Sequence, residues 1–400
     1  MFEPSEGGSR LRRPGWCGGL IAVGIFATAI AAETPPRGGA VAPTLGTDLP
    51  TPVTVSWETT AWRATGSGEV PEATESPSDR EILESAAGAI GVCAPAACPT
   101  PWWAHRDRVF GEFLLLRPGS SDLIYAVEQT DPDPSVASPT GPLGIVAVDP
   151  SPGFRVGFSK AASHCSSLEV AFARWDGSAS STLNASGGNV LASNLFHPST
   201  ETSGAASLSS AARQRLRFHT VDVLYRHLWR ASDTTALNWI AGLRYGNLDQ
   251  SLRADQTVQT PTGLTSLDSR IEFDGFGISG GLDWERFSPR SGLSIYGRGM
   301  AHLLAGEWDA SYTQRNQFGG GVIANRYEDF RLTPVLEAEI GLAWSPVPDR
   351  CRLHAGMMVS GWYDAVTTRS YIDGVRSGRL TGVGETLTFS GLTLGMDLRF

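Results

Sequence analysis

The sequence predicts an all-β fold, an antiparallel up-and-down transmembrane β-barrel of about ten strands (8–12). Three observations predict it: period-two alternation over most of the chain, connections that alternate short and long, and aromatic residues gathered at the strand ends. An export signal and a Pro/Thr/Ala-rich extension precede the barrel.

The alternation is cleanest at Leu336–Trp344. There Leu336, Ala338, Ile340, Leu342 and Trp344 share one face, and Glu337, Glu339, Gly341 and Ala343 share the other. Successive side chains of a strand point to opposite faces, so this is one apolar and one polar face. Leu237–Gly246 and Leu392–Phe400 repeat the pattern, and weaker versions cover Phe154–Phe158, Leu168–Trp175, Phe276–Trp284, Leu293–Ala305 and Leu353–Tyr363. A first strand lies near Val109–Leu116. The segment Leu216–Trp229 changes phase near His219, which predicts a β-bulge there.

Alternation alone also fits a soluble sandwich; the connections separate the two. Short links at Lys160–Ser166, Arg230–Thr235, Phe287–Ser291 and Ser345–Arg350 alternate with long ones near 119–150, 177–212, 249–268, 315–325 and 367–385. Outer-membrane barrels have tight periplasmic turns and long external loops, and an even strand number leaves both barrel ends on the periplasmic side. Trp229, Trp239, Trp284, Phe287, Trp344 and Phe400 fall beside the short turns, while Trp175, Tyr245, Tyr312, Tyr327 and Trp362 fall near the other strand ends. That predicts two interfacial girdles.

At the N-terminus, Arg10, Arg12 and Arg13 precede a short apolar run from Cys17 to Ile30, and Ala29-Ile30-Ala31 has the small-x-small pattern of a cleavage site. Residues 1–31 read as a signal peptide, because the run falls short of the ~20 residues that a spanning helix needs. Residues 32–107 form an extension rich in Pro, Thr and Ala that cannot bury enough apolar surface to offset its ordering entropy, so it is expected to be mostly disordered and periplasmic. A single short helix is expected near Asp79–Ala89. Removal of the signal leaves Cys93, Cys98, Cys165 and Cys351, and Cys93 and Cys98 are spaced to close a local disulfide in an oxidising compartment.

The net charge of −9 excludes nucleic acid as an expected partner. No cofactor or metal motif is present: the C-x4-C has no second ligand pair at finger-like spacing. Gly275–Gly280 fits G-x-G-x-x-G and Gly277–Gly281 fits G-x-S-x-G, but both motifs require a strand that turns into a helix, and here they lie inside an alternating strand. No enzyme is predicted.

The ordered set Gly111–Pro118, Pro152–Phe158, Val221–Tyr225, Ala241–Tyr245, Phe273–Gly277, Leu303–Gly306, Pro334–Gly341 and Ser390–Phe400 resembles the Legionella-type major outer membrane protein family. The resemblance spans about Val109–Phe400 and implies an outer-membrane location and a pore-forming barrel; it brings no catalytic residues. The terminal Phe400 matches the residue by which barrel-insertion machinery recognises its clients. Outer-membrane lipid and this machinery are the expected partners, with a homo-oligomer left open.

If the apolar faces meet lipid, the alternate positions line the lumen. They are Arg155, Glu169, Arg215, Arg217, Asn238, Arg244, Asp283, Glu285, Arg298, His302, Glu337, Glu339, Asp397 and Arg399. A charge facing lipid at mid-membrane costs about 2–4 kcal/mol, which enforces the sorting. Two outcomes stay open: a narrow water-filled path with Glu337 and Glu339 set against Arg244 and Arg298, or a lumen closed by paired charges, working through its external loops.

Overall fold

The computed structural model describes residues 101–400 apart from residue 134 and the stretches 199–205, 260–261, 318–320 and 348–349. The expected signal peptide, the helix near Asp79–Ala89 and the Cys93/Cys98 pair lie outside the described residues; Cys165 and Cys351 are free thiols.

Among the described residues thirteen strands and one helix follow one another: β1 (Arg108–Gly119), β2 (Leu123–Gln129), β3 (Pro139–Val146), β4 (Ser151–Ser163), β5 (Ser166–Asn184), β6 (Val190–Ser193), β7 (Ser207–Ala231), β8 (Thr235–Gln259), β9 (Thr262–Phe287), β10 (Leu293–Asn316), β11 (Val322–Val347), β12 (Cys351–Val366), α1 (Thr368–Ser377) and β13 (Gly384–Arg399). Ten close into an antiparallel barrel in the order β1-β13-β12-β11-β10-β9-β8-β7-β5-β4, so that β1 and β13 seal the ring. The other three form a separate sheet, β3-β2-β6. The four short links fall where the sequence puts them, at one end of the barrel together with the start of β1 and the end of β13.

The long connections differ from expectation. Much of 177–212 and 249–268 is not loop: β5 and β7 pair from Ser166↔His227 up to Asn184↔Ser209, and β8 and β9 pair up to Gln259↔Thr262. These strands run well beyond the 9–11 residues that cross a membrane. Within 119–150, β2 and β3 pair with each other instead of prolonging the barrel wall.

This overrun explains the phase change near His219, which is no bulge: the register of β7 is regular there and shifts at Ser207/Ser209 and Leu228/Arg230. Leu216, Phe218, Thr220, Asp222 and Leu224 all point inward. What changes is the surroundings. Below His219 the outside of the barrel meets lipid and carries Val221, Val223 and Tyr225; above it the outside meets water and carries Arg213, Arg215 and Arg217. Arg215 and Arg217 therefore face outward, bonded to Asp176 and Asp249, and do not line the lumen. The same exchange occurs on β8 after Tyr245, on β9 above Phe276 and on β10 after Ala305.

The short-turn girdle is on the outer surface as expected, with Trp229, Trp284, Trp344 and Phe400 exposed. Of the expected upper girdle only Tyr245 faces outward; Tyr327 turns inward and packs against the core. Trp175, Tyr312 and Trp362 are fully buried inside, and the outward aromatics at that level are Phe154, Tyr245, Phe276, Phe330 and Tyr363.

α1 starts at a capping box between Thr367 and Ser370 and stops at Gly378, whose φ of 65° is the left-handed conformation that glycine adopts most readily. It buries Tyr371, Ile372 and Val375. Those three join Leu123, Tyr125, Val146 and Val148 from β2–β3 and its flank, and Phe218, Leu248, Phe273, Leu304, Trp308 and Phe389 from the barrel wall, in one apolar core. The upper lumen is thus packed like the interior of a soluble protein.

Candidate functional site: the charged lower lumen

Below this core the inward positions are charged, and the charges are arranged in tiers. Nearest the apolar core, Arg244 makes two forks: Nε and Nη2 to the carboxylate of Asp222 at 2.6 and 2.9 Å, and Nη1 and Nη2 to Glu337 at 2.6 and 3.1 Å. The planar guanidinium suits this bidentate geometry. Beside it His302 Nδ1 lies 2.7 Å from Ser279 Oγ, and His302 Nε2 lies 3.5 Å from Glu337.

One tier lower, Arg155 bonds Glu112 and, at 2.8 Å, Glu339. The second oxygen of Glu339 accepts hydrogen bonds from Tyr296 at 2.8 Å and Thr393 at 3.0 Å. At the short-turn end three arginines converge on Glu169: Arg108 in direct contact, Arg226 and Arg298 at 3.6 Å. Asp283 holds Arg226 and accepts from Asn238 at 2.7 Å. Arg352 reaches Glu285 and Asp397, both at 3.3 Å. Arg399 makes no ion pair among the described residues. Around these groups is a cavity of about 140 Å³.

Of the fourteen positions expected to line the lumen, Arg155, Glu169, Asn238, Arg244, Asp283, Glu285, Arg298, His302, Glu337, Glu339 and Asp397 belong to this inner network, Arg399 borders the cavity, and Arg215 and Arg217 face outward. Alternation alone left out Arg108, Glu112, Asp222, Arg226, Arg352 and His354. Glu112 and Asp222 were legible, since each stands between outward apolar residues: Gly111 and Phe113, Val221 and Val223. Arg226 was not, because it lies beside the register shift at Leu228/Arg230.

The residues just before the barrel complete the site. Pro101–Asp107, the last part of the expected extension, crosses the short-turn mouth. Trp102 stacks on Phe287 at the end of β9, with ring centroids 5.1 Å apart, and donates to the carbonyl of Asp233 at 2.9 Å. The strand opposite β1 in the ring is β9, so these residues, which begin with a tight turn in which the Ala104 amide donates to the Pro101 carbonyl, lead from one wall to the other. Midway, His105 lies 2.7 Å from Ser167 and 3.1 Å from Asn238. Burial, with help from the charge of Arg226, lowers the His105 pKa to about 4, so the strap holds a neutral imidazole.

Ser279, His302 and Glu337 meet although the sequence gives no sign of it, being spread over β9, β10 and β11. The set resembles a hydrolytic triad in composition only. Ser279 and His302 are buried, and Glu337 is engaged by Arg244. The glycine motif around Ser279 has a packing cause: a Cβ on Gly277 would sit 1.8 Å from the carbonyl oxygen of Leu303 on the neighbouring strand. Among the described residues no group of three or more His, Cys, Asp or Glu is placed to hold a metal ion.

Among solved structures the chain is similar to the translocator domain of the autotransporter NalP from Neisseria meningitidis, with 11% identity and a TM-score of 0.32 over 80% of this chain and 95% of that one. It is also similar to a Pseudomonas aeruginosa FadL homologue, with 10% identity and a TM-score of 0.27 over 73% and 89% of the two chains. For the transport unit of the autotransporter AIDA-I from Escherichia coli the values are 9% and 0.24 over 80% and 97%. No curated protein matches the chain. Residues 99–400, the strap and the whole barrel, match the family described as Legionella pneumophila major outer membrane protein precursor; the chain belongs to that family and is a β-barrel of the outer membrane.

Proposed function

We propose that the protein is a narrow outer-membrane channel that is shut in the conformation described. The observation that carries this reading is the division of the lumen. Charged groups surround a cavity at the short-turn end, as an ion path requires, and above it the lumen is closed by the Arg244 tier and by an apolar core in which Tyr125, Val146, Phe196, Tyr371 and Ile372 from the external connections pack against side chains of the barrel wall. The shutter therefore includes segments that are not barrel wall, β2–β3 and α1, which can leave without breaking the ring. Its packing makes the shut state the ground state, since each fully buried large apolar side chain stabilises it by about 1.5–3 kcal/mol. Phe400, exposed at the end of β13, is available to the barrel-insertion machinery.

The test is single-channel conductance in a planar bilayer. The intact chain is expected to be nearly silent. A variant with residues 121–149 and 368–383 each replaced by a short linker, shown by circular dichroism and heat-modifiable gel migration to be folded, is expected to give discrete steps. In that background Glu337→Gln with Glu339→Gln should shift the reversal potential towards anions. A folded, plugless barrel that stays silent would sink the channel reading and favour the second one, a closed surface barrel acting through its loops. The dense packing of Trp175, Phe218 and Phe389, with centroids 4.8–5.9 Å apart, is the observation on that side.

A further inference from the structure

The two rims of the barrel treat their charges differently. At the upper level outward arginines are largely answered by carboxylates of the same surface: Arg215 by Asp176, Arg217 and Arg270 by Asp249, Arg326 by Asp309 and Glu328. At the short-turn rim they are not. Arg230 is the last but one residue of β7, Arg286 precedes the β9–β10 turn and Arg290 lies within it, and Arg350 precedes β12; all four are exposed. None of the four guanidinium groups makes an ion pair or hydrogen bond to protein among the described residues. Lys160, also exposed, has Asp107.

These cations have a fixed place. Arg230 follows the exposed Trp229, Arg286 follows Trp284, and Arg350 lies across the β11–β12 link from Trp344. They stand at the water side of the aromatic girdle, where lipid headgroups lie. An unpaired guanidinium at that depth has one complementary partner at hand, a phosphate with no compensating ammonium. We propose that the short-turn rim is a binding surface for anionic phospholipid, with Arg230, Arg286, Arg290 and Arg350 as the headgroup contacts. The preference is local, because the net charge of −9 opposes anionic lipid as a whole. It does not depend on whether the lumen conducts.

The experiment places the full chain in bilayers of zwitterionic phosphatidylcholine mixed with anionic phosphatidylglycerol, one of the two carrying brominated acyl chains. Quenching of the exposed girdle tryptophans then reports which lipid occupies the rim. At low salt, phosphatidylglycerol should be enriched roughly threefold over its bulk fraction, falling towards parity in high salt. The variant Arg230→Gln, Arg286→Gln, Arg290→Gln, Arg350→Gln should lose the enrichment while keeping its circular dichroism and heat-modifiable migration. If that variant fails to insert, the single substitutions, each read for partial loss, replace it. Equal quenching by both lipids at low salt, or enrichment that survives the substitutions, would overturn the proposal.

Discussion

The lower and upper halves of this lumen are built on the same strands and obey opposite rules. On β8 the inward residues run Asn238, Ile240, Gly242 and Arg244 in the lower half, then Gly246, Leu248, Gln250, Leu252 and Ala254 in the upper, where Gln250 is bonded to Val366 and Thr368. The outward residues do the reverse, passing from Leu237, Trp239 and Leu243 to Asp249, Arg253 and Asp255. In the membrane, lipid takes the apolar face and the lumen collects the charges. Above it, water takes the charged face and the lumen becomes a largely apolar core. The difference teaches that the polarity of a barrel interior is set by the solvent outside, strand level by strand level.

Four changes would break or sharpen this contrast. The largest effect is expected from Phe389→Ala, which opens a void where the rings of Trp175 and Phe218 meet. It should cost about 4 kcal/mol in denaturant unfolding from lipid vesicles, independent of salt, and raise conductance if the core is the shutter. Arg244→Met comes next, because it strands Asp222 and Glu337 inside the lower half. A loss of about 3 kcal/mol is expected, with most of it recovered when Asp222→Asn and Glu337→Gln are added. Failure of those partners to rescue would mean that Arg244 acts through packing and not through charge.

Ser279→Ala should cost only about 1 kcal/mol, the value of one buried hydrogen bond. The unaltered protein should not be labelled by a serine-directed fluorophosphonate; labelling at Ser279 would show that the buried Ser279–His302–Glu337 set is accessible and reactive. The smallest effect concerns the strap. The folded pKa of His105 is lowered to about 4 from an ordinary 6.5, so the folded state favours the neutral ring. Docking of the strap should be complete above pH 6.5 and weaken as the pH falls from there to about 4, with no further loss below. Trp102 fluorescence checks this, and His105→Gln should flatten the profile.

Much of this architecture is legible in the residues alone. Leu336–Trp344 and Leu392–Phe400 announce strands with one lipid face, and the four short links mark one end of the barrel. The lumenal charges follow from the rule that Glu337 or Arg244 cannot face lipid. Arg215 and Arg217 show where that rule stops: it holds only while lipid is outside, and nothing in a strand's pattern says where it leaves the membrane. Trp175, Tyr312 and Trp362 are misplaced by it for the same reason, since an aromatic near a strand end fits a girdle and a core equally well. The strap is hidden differently. Trp102 and His105 carry no periodicity, and their order comes from contacts with Phe287 and Asn238, far along the chain.

The sequence by itself therefore determined the barrel, its strand number to within about two, its short-turn end and most of the inward charges of the membrane-spanning part, because pairing and alternation are local and lipid punishes every exception. Only the tertiary structure decided that the upper lumen is filled, that the lower charges close into tiers around Glu169, Glu339 and Arg244, and that Pro101–Asp107 crosses the mouth. Those features depend on ring closure, which brings β1 to β13 and sets β9 against the start of the chain, and no local pattern encodes a closure between residues about 290 positions apart.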